Sequence, residues 1–381
     1  MSSKRLAQHS EPLLHITKRD AMVWYKGVII RAIAIVAALI VCSALIVLLT
    51  KLNPLDVYSE MIEGSFGTER KFWILLQNIA MLLCISLAVT PAFKMKFWNL
   101  GAEGQVLVGA LASAACMFYF KEVRMGDTLP LVYEAPLSNA VLIPMMLVAS
   151  MAAGIIWAVI PAIFKAIWGT NESLFTLMMN YVAMQLVAFF IMVWVPNGSS
   201  VMGIINPNTE SGWLPELFGQ KYGFNILIVG LLTVAMYIYL KYSKQGYEIS
   251  VVGESENTAR YIGINVKKVI IRTLIVSGAI CGIAGFLLVS GTNYTVSKDI
   301  AGGMGFTAIM VAWLAKFNPG MMVITSFLVV FMQRGAGAIA TTFGLNQSVS
   351  DILTGIIIFF IIGCEFFINY KVNLRTKHKE G

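Results

Sequence analysis

The run Phe97-Trp98-Asn99-Leu100-Gly101-Ala102-Glu103-Gly104-Gln105 sets two amides and a carboxylate close together in an otherwise apolar chain. An apolar segment, 72–89, precedes it, and another, 106–120, follows at once. The second is shorter than the ~20 residues that a spanning helix needs, so the motif supplies the first turns of that span. Its polar groups then lie at or inside the membrane boundary, where each costs free energy unless it is satisfied. Asn99 can cap the following helix, and Glu103 falls in its early turns, where the helix dipole favours an anion. Two readings stand here. One is a helix cap with close packing around Gly101 and Gly104, and the other is a broken-helix element lining a solute path.

Other polar groups admit the same pair of readings. Thr176 and Asn180 are four apart on the fifth apolar segment and share a helix face, with Gln185 further on. Such groups hydrogen-bond between helices or line a polar path, and Gln77 and Asn78 pose the same choice. The most polar interior stretch is 241–268. Within it, Gly253 to Gly263 reads as a short helix that Ser255 caps and Gly263 ends. Lys241, Lys244, Lys267 and Lys268 flank it, which places it in the cytoplasm. It is either a solvated loop helix or a docking helix for a cytoplasmic partner.

Several chemistries have no residues to perform them. The sequence holds no G-x-x-x-x-G-K-[ST] phosphate loop and no H-E-x-x-H. His9, His15 and His378 all lie in the polar tails, which argues against an internal metal site, proton relay or triad. Cys42, Cys84, Cys116, Cys281 and Cys364 fall inside apolar segments without metal-type spacing, and read as small buried hydrophobes. No metal site and no enzymatic activity are expected.

These residues must be positioned by membrane-spanning helices. Of the 381 residues, 58% are hydrophobic and 13% charged, and the mean hydropathy is +0.76. A soluble domain carries about 25% charged residues. The sequence therefore predicts an all-α polytopic integral membrane protein of about ten spans. They are 28–49, 72–89, the span opened by the motif and ending at 120, 140–164, 174–195, 224–240, 269–290, 306–314, 321–332 and 352–368. The eighth is too short to cross a ~30 Å core as a straight helix, and reads as a half-helix or as a segment extending to Phe317. Residues 1–27 and 370–381 are basic tails around a membrane-spanning core, 28–369. Most cations fall in the tails and alternate loops, which puts both termini in the cytoplasm. The net charge of +8 flanks apolar segments and is not a nucleic-acid signal. No cleavable signal peptide is expected, because the first apolar segment is too long for one. Gly302-Gly303-Met304-Gly305 precedes a short apolar helix much as Gly101 to Gly104 does, which raises an internal repeat as an expectation.

Four stretches together resemble one family: Asn99 to Gln105; Asn171-Glu172 with Thr176 to Tyr181; Gly253 to Asn265; and Gly303-Met304-Gly305-Phe306 running on to Leu314. They are similar to permease subunits of bacterial ABC importers of the branched-chain amino acid, ribose and nucleoside class, and most resemble guanosine-type nucleoside importers. The resemblance covers most of the chain from about residue 70 onward. Ala259, Arg260, Tyr261 and Gly263 match the family pattern, whereas Ser255, Glu256 and Thr258 depart from it. The resemblance implies a coupling helix that includes Glu254, Ala259, Arg260, Tyr261 and Gly263, seated in a separate cytoplasmic ATPase that binds the ATP and Mg. It also implies a second, non-identical permease subunit and an extracytoplasmic substrate-binding lipoprotein. Asn99, Glu103, Gln105 and Asn180 are then the substrate-path candidates, being polar groups at membrane depth. The competing expectation is a secondary transporter coupled to protons or sodium, for which Glu103 would be the titrating or coordinating carboxylate.

Overall fold

The computed structural model describes residues 14–18, 24–120, 137–195, 202–217 and 219–374. Residues 121–136, between the third and fourth expected spans, and most of both tails lie outside them. In chain order the described elements are β1 (Leu14–Lys18), α1 (Trp24–Thr50), α2 (Pro54–Phe66), α3 (Glu69–Lys94) and α4 (Ala102–Tyr119). Next come α5 (Asn139–Trp168), α6 (Glu172–Trp194), α7 (Gly223–Tyr242), α8 (Lys244–Glu254), α9 (Glu256–Tyr261) and α10 (Val266–Leu288). A π-turn, Val289–Asn293, extends α10. The chain closes with α11 (Met304–Leu314), α12 (Pro319–Thr342), α13 (Gln347–Asn369) and β2 (Tyr370–Leu374). Among the described residues, seven helices are long and apolar enough to cross a membrane, and three shorter apolar helices, Ala32–Leu48, Met304–Leu314 and Ile352–Ile368, accompany them.

The chain divides into two compact units, Thr68–Phe331 and Met1–Gly67 with Met332–Gly381. In the terminal unit α1 packs on α13, and β1 pairs antiparallel with β2, Leu14 opposite Leu374 and Lys18 opposite Tyr370. The ladder joins the two stretches read as separate tails. Residues 51–71, which lie between the first two expected spans, contain the helix α2. Asn53 caps it by accepting from Leu55 N, and Pro54 stands where no intrahelical N–H is required. Val57, Met61 and Gly64 bury one face at helical spacing, and the acidic residues around them had concealed that period.

In the larger unit α10 is central, packed on α3, α4 and α5. Gly278 and Gly282 of α10 lie against Gly154 and Ser150 of α5. Small side chains permit this approach, because lipid offers no hydrophobic drive for helices to associate. Caps follow the sequence closely: Asn171 accepts from Leu174 N, Asn265 from Lys268 N, and Gly169 ends α5 in the left-handed region.

Two helix ends share a local turn that the comparison of the glycine runs did not include. The end of α3 and the end of α11 make the same turn. Lys96 N donates to Phe93 O and Phe97 N to Ala92 O, both at 2.9 Å. Lys316 N donates to Trp313 O and Phe317 N to Ala312 O, also at 2.9 Å. Lys96 and Lys316 both sit at positive φ, 60° and 51°. The side-chain Oδ1 atoms of Asn99 and Asn318 then accept from Gly101 N and Gly320 N, at 3.1 and 2.9 Å. Thus Ala92-Phe93-x-x-Lys96-Phe97, then Asn99-x-Gly101, matches Ala312-Trp313-x-x-Lys316-Phe317, then Asn318-x-Gly320. Trp98 is the one inserted residue. Gly303 stands at the N-cap of α11 as Gly101 does at that of α4.

Candidate functional site

The motif enters the bundle from its α8–α9 end, where Phe97 is buried with Ile249, Val252 and Ala259, and the residues after it run inward. Asn180, which touches the motif, lies eight residues into α6, about 12 Å from its start at 1.5 Å per residue. Ser277, which also touches it, lies eleven residues into α10, roughly 16 Å from its start. After α3 ends, the chain therefore turns back into the bundle before α4 begins. Segment 294–303 is non-helical, and it brings the start of α11 to the same place.

Two helix N-termini thus meet in the interior, and each leaves backbone N–H groups without an intrahelical acceptor. The predicted polar residues satisfy them. Asn99 Oδ1 accepts from Gly101 N at 3.1 Å and from Gln105 Nε2 at 3.2 Å, while Asn99 Nδ2 donates to Ser277 Oγ at 3.4 Å. Asn180 Oδ1 accepts from Gly104 N, and its Nδ2 donates to Leu100 O, both at 2.8 Å. Thr176 Oγ1 accepts from Leu100 N at 3.1 Å and donates to Glu172 O at 2.7 Å. The Glu103 carboxylate bridges to the other helix: Oε1 accepts from Gly303 N at 2.8 Å and Oε2 from Gly305 N at 2.7 Å. A carboxylate at the start of α11 complements its dipole and occupies the place where a helix terminus holds an anion. Asn99, Glu103, Gln105 and Asn180 are all buried. The geometry brings the four together in one network, with Thr176, Ser277, Gly303 and Gly305 as the further members.

Two glycines are required by close approach. A Cβ on Gly104 would stand 2.8 Å from Asn180 Oδ1, and one on Gly305 would stand 2.6 Å from Glu103 N. Two buried polar atoms beside the motif have no hydrogen-bond partner among the described residues: Gln105 Oε1 and Trp157 Nε1. Ser277 and Trp157 were not singled out in the sequence. Ser277 carried a signal, since it opens a run with Gly278, Gly282 and Gly285 at small-residue spacing. An aromatic cluster closes the end of α3 and α11, where the Trp98 ring centroid is 5.8 Å from Phe93 and 5.5 Å from Trp313.

The polar stretch 241–268 forms two short helices. Ser255 Oγ accepts from Thr258 N at 3.2 Å and so caps α9, while Gly263, at φ +85°, turns the chain away. Ala259 is buried with Ile249, Val252 and Val266. That one inward residue seats α9 and leaves the rest outward. Glu254, at the end of α8, is exposed, Arg260 pairs with Glu256 at 3.0 Å, and Tyr261 is 92% exposed. A large aromatic standing clear of the surface is the kind of side chain that anchors a protein partner.

The opposite end of the larger unit holds a cavity of about 540 Å³, lined in part by Asn139, Glu210, Trp213, Glu216, Lys221 and Tyr294. Trp213 and Tyr294 stack with ring centroids 3.8 Å apart, and Lys221 Nζ lies 4.3 Å from the Tyr294 ring centre. Burial, with Tyr222 and the Glu210 and Glu216 carboxylates adding to it, pushes the Tyr294 hydroxyl up to about 12. Burial and the nearby Arg70 lower the Lys221 ammonium, against the pull of Glu216.

Long apolar helices, two helix ends meeting halfway through the bundle and a surface helix pair at one end define a multi-pass membrane protein of the transporter type. The chain belongs to the family described as the permease component of branched-chain amino acid transport systems, whose model matches residues 72–362. It is 29% identical to the guanosine ABC transporter permease protein NupP of Bacillus subtilis, over 86% of this chain and 91% of that one. It is 27% identical to the nucleoside ABC transporter permease protein NupB of Lactococcus lactis, over 88% and 91%. It is also 27% identical to the glucose ABC transporter permease protein TsgB13 of Haloferax volcanii, over 90% and 89%. No solved structure matches.

Proposed function

We propose that this chain is one membrane-spanning subunit of an ATP-driven importer, and that its solute is a nucleoside. The observation that carries the reading is the family match across 72–362, with nucleoside permeases among the relatives aligned over most of both chains. Binding and hydrolysis of ATP with Mg belong to a separate cytoplasmic ATPase, which grips α9 through the exposed Tyr261 and Arg260, with Ala259 and Gly263 fixing the helix and Glu254 at its shoulder. A second permease subunit, different from this one, completes the path. A substrate-binding lipoprotein delivers solute on the outer side. Both termini and α8–α9 then face the cytoplasm, in keeping with the cations around 241–268.

In this reading Asn99, Glu103, Gln105 and Asn180 lie at the gate of the solute path. Transporter sites favour the place where interrupted helices end near the middle of the membrane. Support comes from the two helix starts that Glu103 joins, and from Gln105 Oε1 and Trp157 Nε1, an acceptor and a donor still unspent. A nucleoside presents hydrogen-bonding edges and an apolar face, so amides and aromatics suit it. The test is uptake of radiolabelled guanosine into proteoliposomes. The complete complex with internal ATP is expected to accumulate it, and this chain alone is not. Uptake by this chain alone under an ion gradient would overturn the proposal.

A further inference from the structure

We propose that the ion pair between Glu248 and Arg272 is the link that carries movement of the coupling helices into the transmembrane core. The proposal rests on the importer reading above and adds the residues that transmit its coupling.

Helix α8 is held on three sides. Ser243 caps it from the end of α7, Gly246 lies beneath the Tyr239 and Leu240 carbonyls, and Gly253 lies against Lys94 O at the end of α3. Those are contacts of small residues with backbone. Apolar side chains, among them Ile249, Val252, Val269 and Ile270, fill the space between α8 and α10. Such packing is non-directional and tolerates sliding. The Arg272 guanidinium on the Glu248 carboxylate is different, because it is directional and fixes the register of the two helices. The pair is half withdrawn from solvent, with side-chain exposures of 35% and 14%. Arg272 Nε is buried without a partner among the described residues, so Glu248 is the group that answers the cation. Removing one partner would leave a partly buried charge unanswered, which costs far more than the intact pair contributes.

The route beyond Arg272 is short. Ser277 follows five residues later on α10 and hydrogen-bonds Asn99. Asn99 holds Gly101 and Gln105, and Glu103 holds the start of α11. A shift of α8 along its axis therefore pulls α10, and α10 bears on both helix ends at the candidate gate. Side chains of this kind carry coupling only where an element has two arrangements, so transport coupling itself has to be measured.

The experiment uses the complete complex in proteoliposomes, with ATP hydrolysis and guanosine uptake measured on the same sample. Glu248→Gln and Arg272→Gln are each expected to lower uptake per ATP hydrolysed by at least about fivefold, the lower end of ordinary coupling between sites, while hydrolysis persists. The exchange Glu248→Arg with Arg272→Glu is expected to recover most of that loss. An unchanged ratio in both single variants would overturn the proposal. So would a parallel fall in hydrolysis and uptake that the exchange does not repair, since that marks a purely structural pair. A wild-type complex without ATP-dependent uptake would instead refute the importer reading, and so the two failures are distinguishable.

Discussion

Glu103 decides more than any other residue. Its two oxygens take the first free N–H groups of α11, so the carboxylate joins two helices that are far apart in sequence. Hydrogen bonds to a charged group contribute roughly 1.5–3 kcal/mol each. Glu103→Ala removes both and leaves buried donors unpaired, so a stability loss of at least about 2 kcal/mol is expected, read as a lowered melting temperature in detergent. Guanosine uptake by assembled complexes should fall at least about tenfold, since ~1.4 kcal/mol already corresponds to that factor. Asn180→Ala should act in the same direction by releasing Gly104 N and Leu100 O. Unchanged uptake in well-assembled complexes of either variant would remove these residues from the gate and leave them as connectors between helices. The residue types and depth of this cluster were legible because amides, a carboxylate and glycines stand out in an apolar chain. Their partners were not. Nothing in the sequence says that Asn180 reaches back to Gly104, or that Glu103 meets glycines two hundred residues away, because such pairings are set by helix packing.

At the scale of elements, α9 is six residues long, and it has a cap, a buried anchor and an exposed face. Its N-cap was readable from Ser255, and its end from Gly263. Proline at Thr258 would remove the N–H that Ser255 accepts and so uncap this short helix. Such a variant is expected to bind the receptor normally, yet to lose most nucleoside-driven ATP hydrolysis and uptake. Hydrolysis and uptake at wild-type ratio would show that α9 does not carry the coupling. The shared turn is the element-scale lesson. Glycine-rich runs at 101–104 and 302–305 resemble each other in composition, but they are partners across an interface. The ends of α3 and α11 share Lys-Phe at a left-handed turn and Asn-x-Gly after it, with Trp98 as an extra residue in the first. The helix at 54–66 was missed because acidic residues broke the apparent apolar period.

The whole molecule follows from composition more directly than any local feature does. A chain that is 58% hydrophobic with few charges has to be helical in a membrane, because every backbone group must be satisfied within it. Apolar period and length located the spans. The short apolar segment at 306–314 already pointed to a helix that stops short, as α11 does; what hydropathy could not supply is that its start meets the start of α4. Family membership gives the transport role, and the meeting of α4 and α11 is where we propose the gate lies. The most direct test of the central claim is nucleoside-dependent ATP hydrolysis by the complex purified with its own ATPase, second permease subunit and binding protein. Guanosine and related nucleosides are expected to stimulate hydrolysis, while glucose and branched-chain amino acids are not. Hydrolysis indifferent to every nucleoside, in a complex that still binds its receptor, would contradict the account.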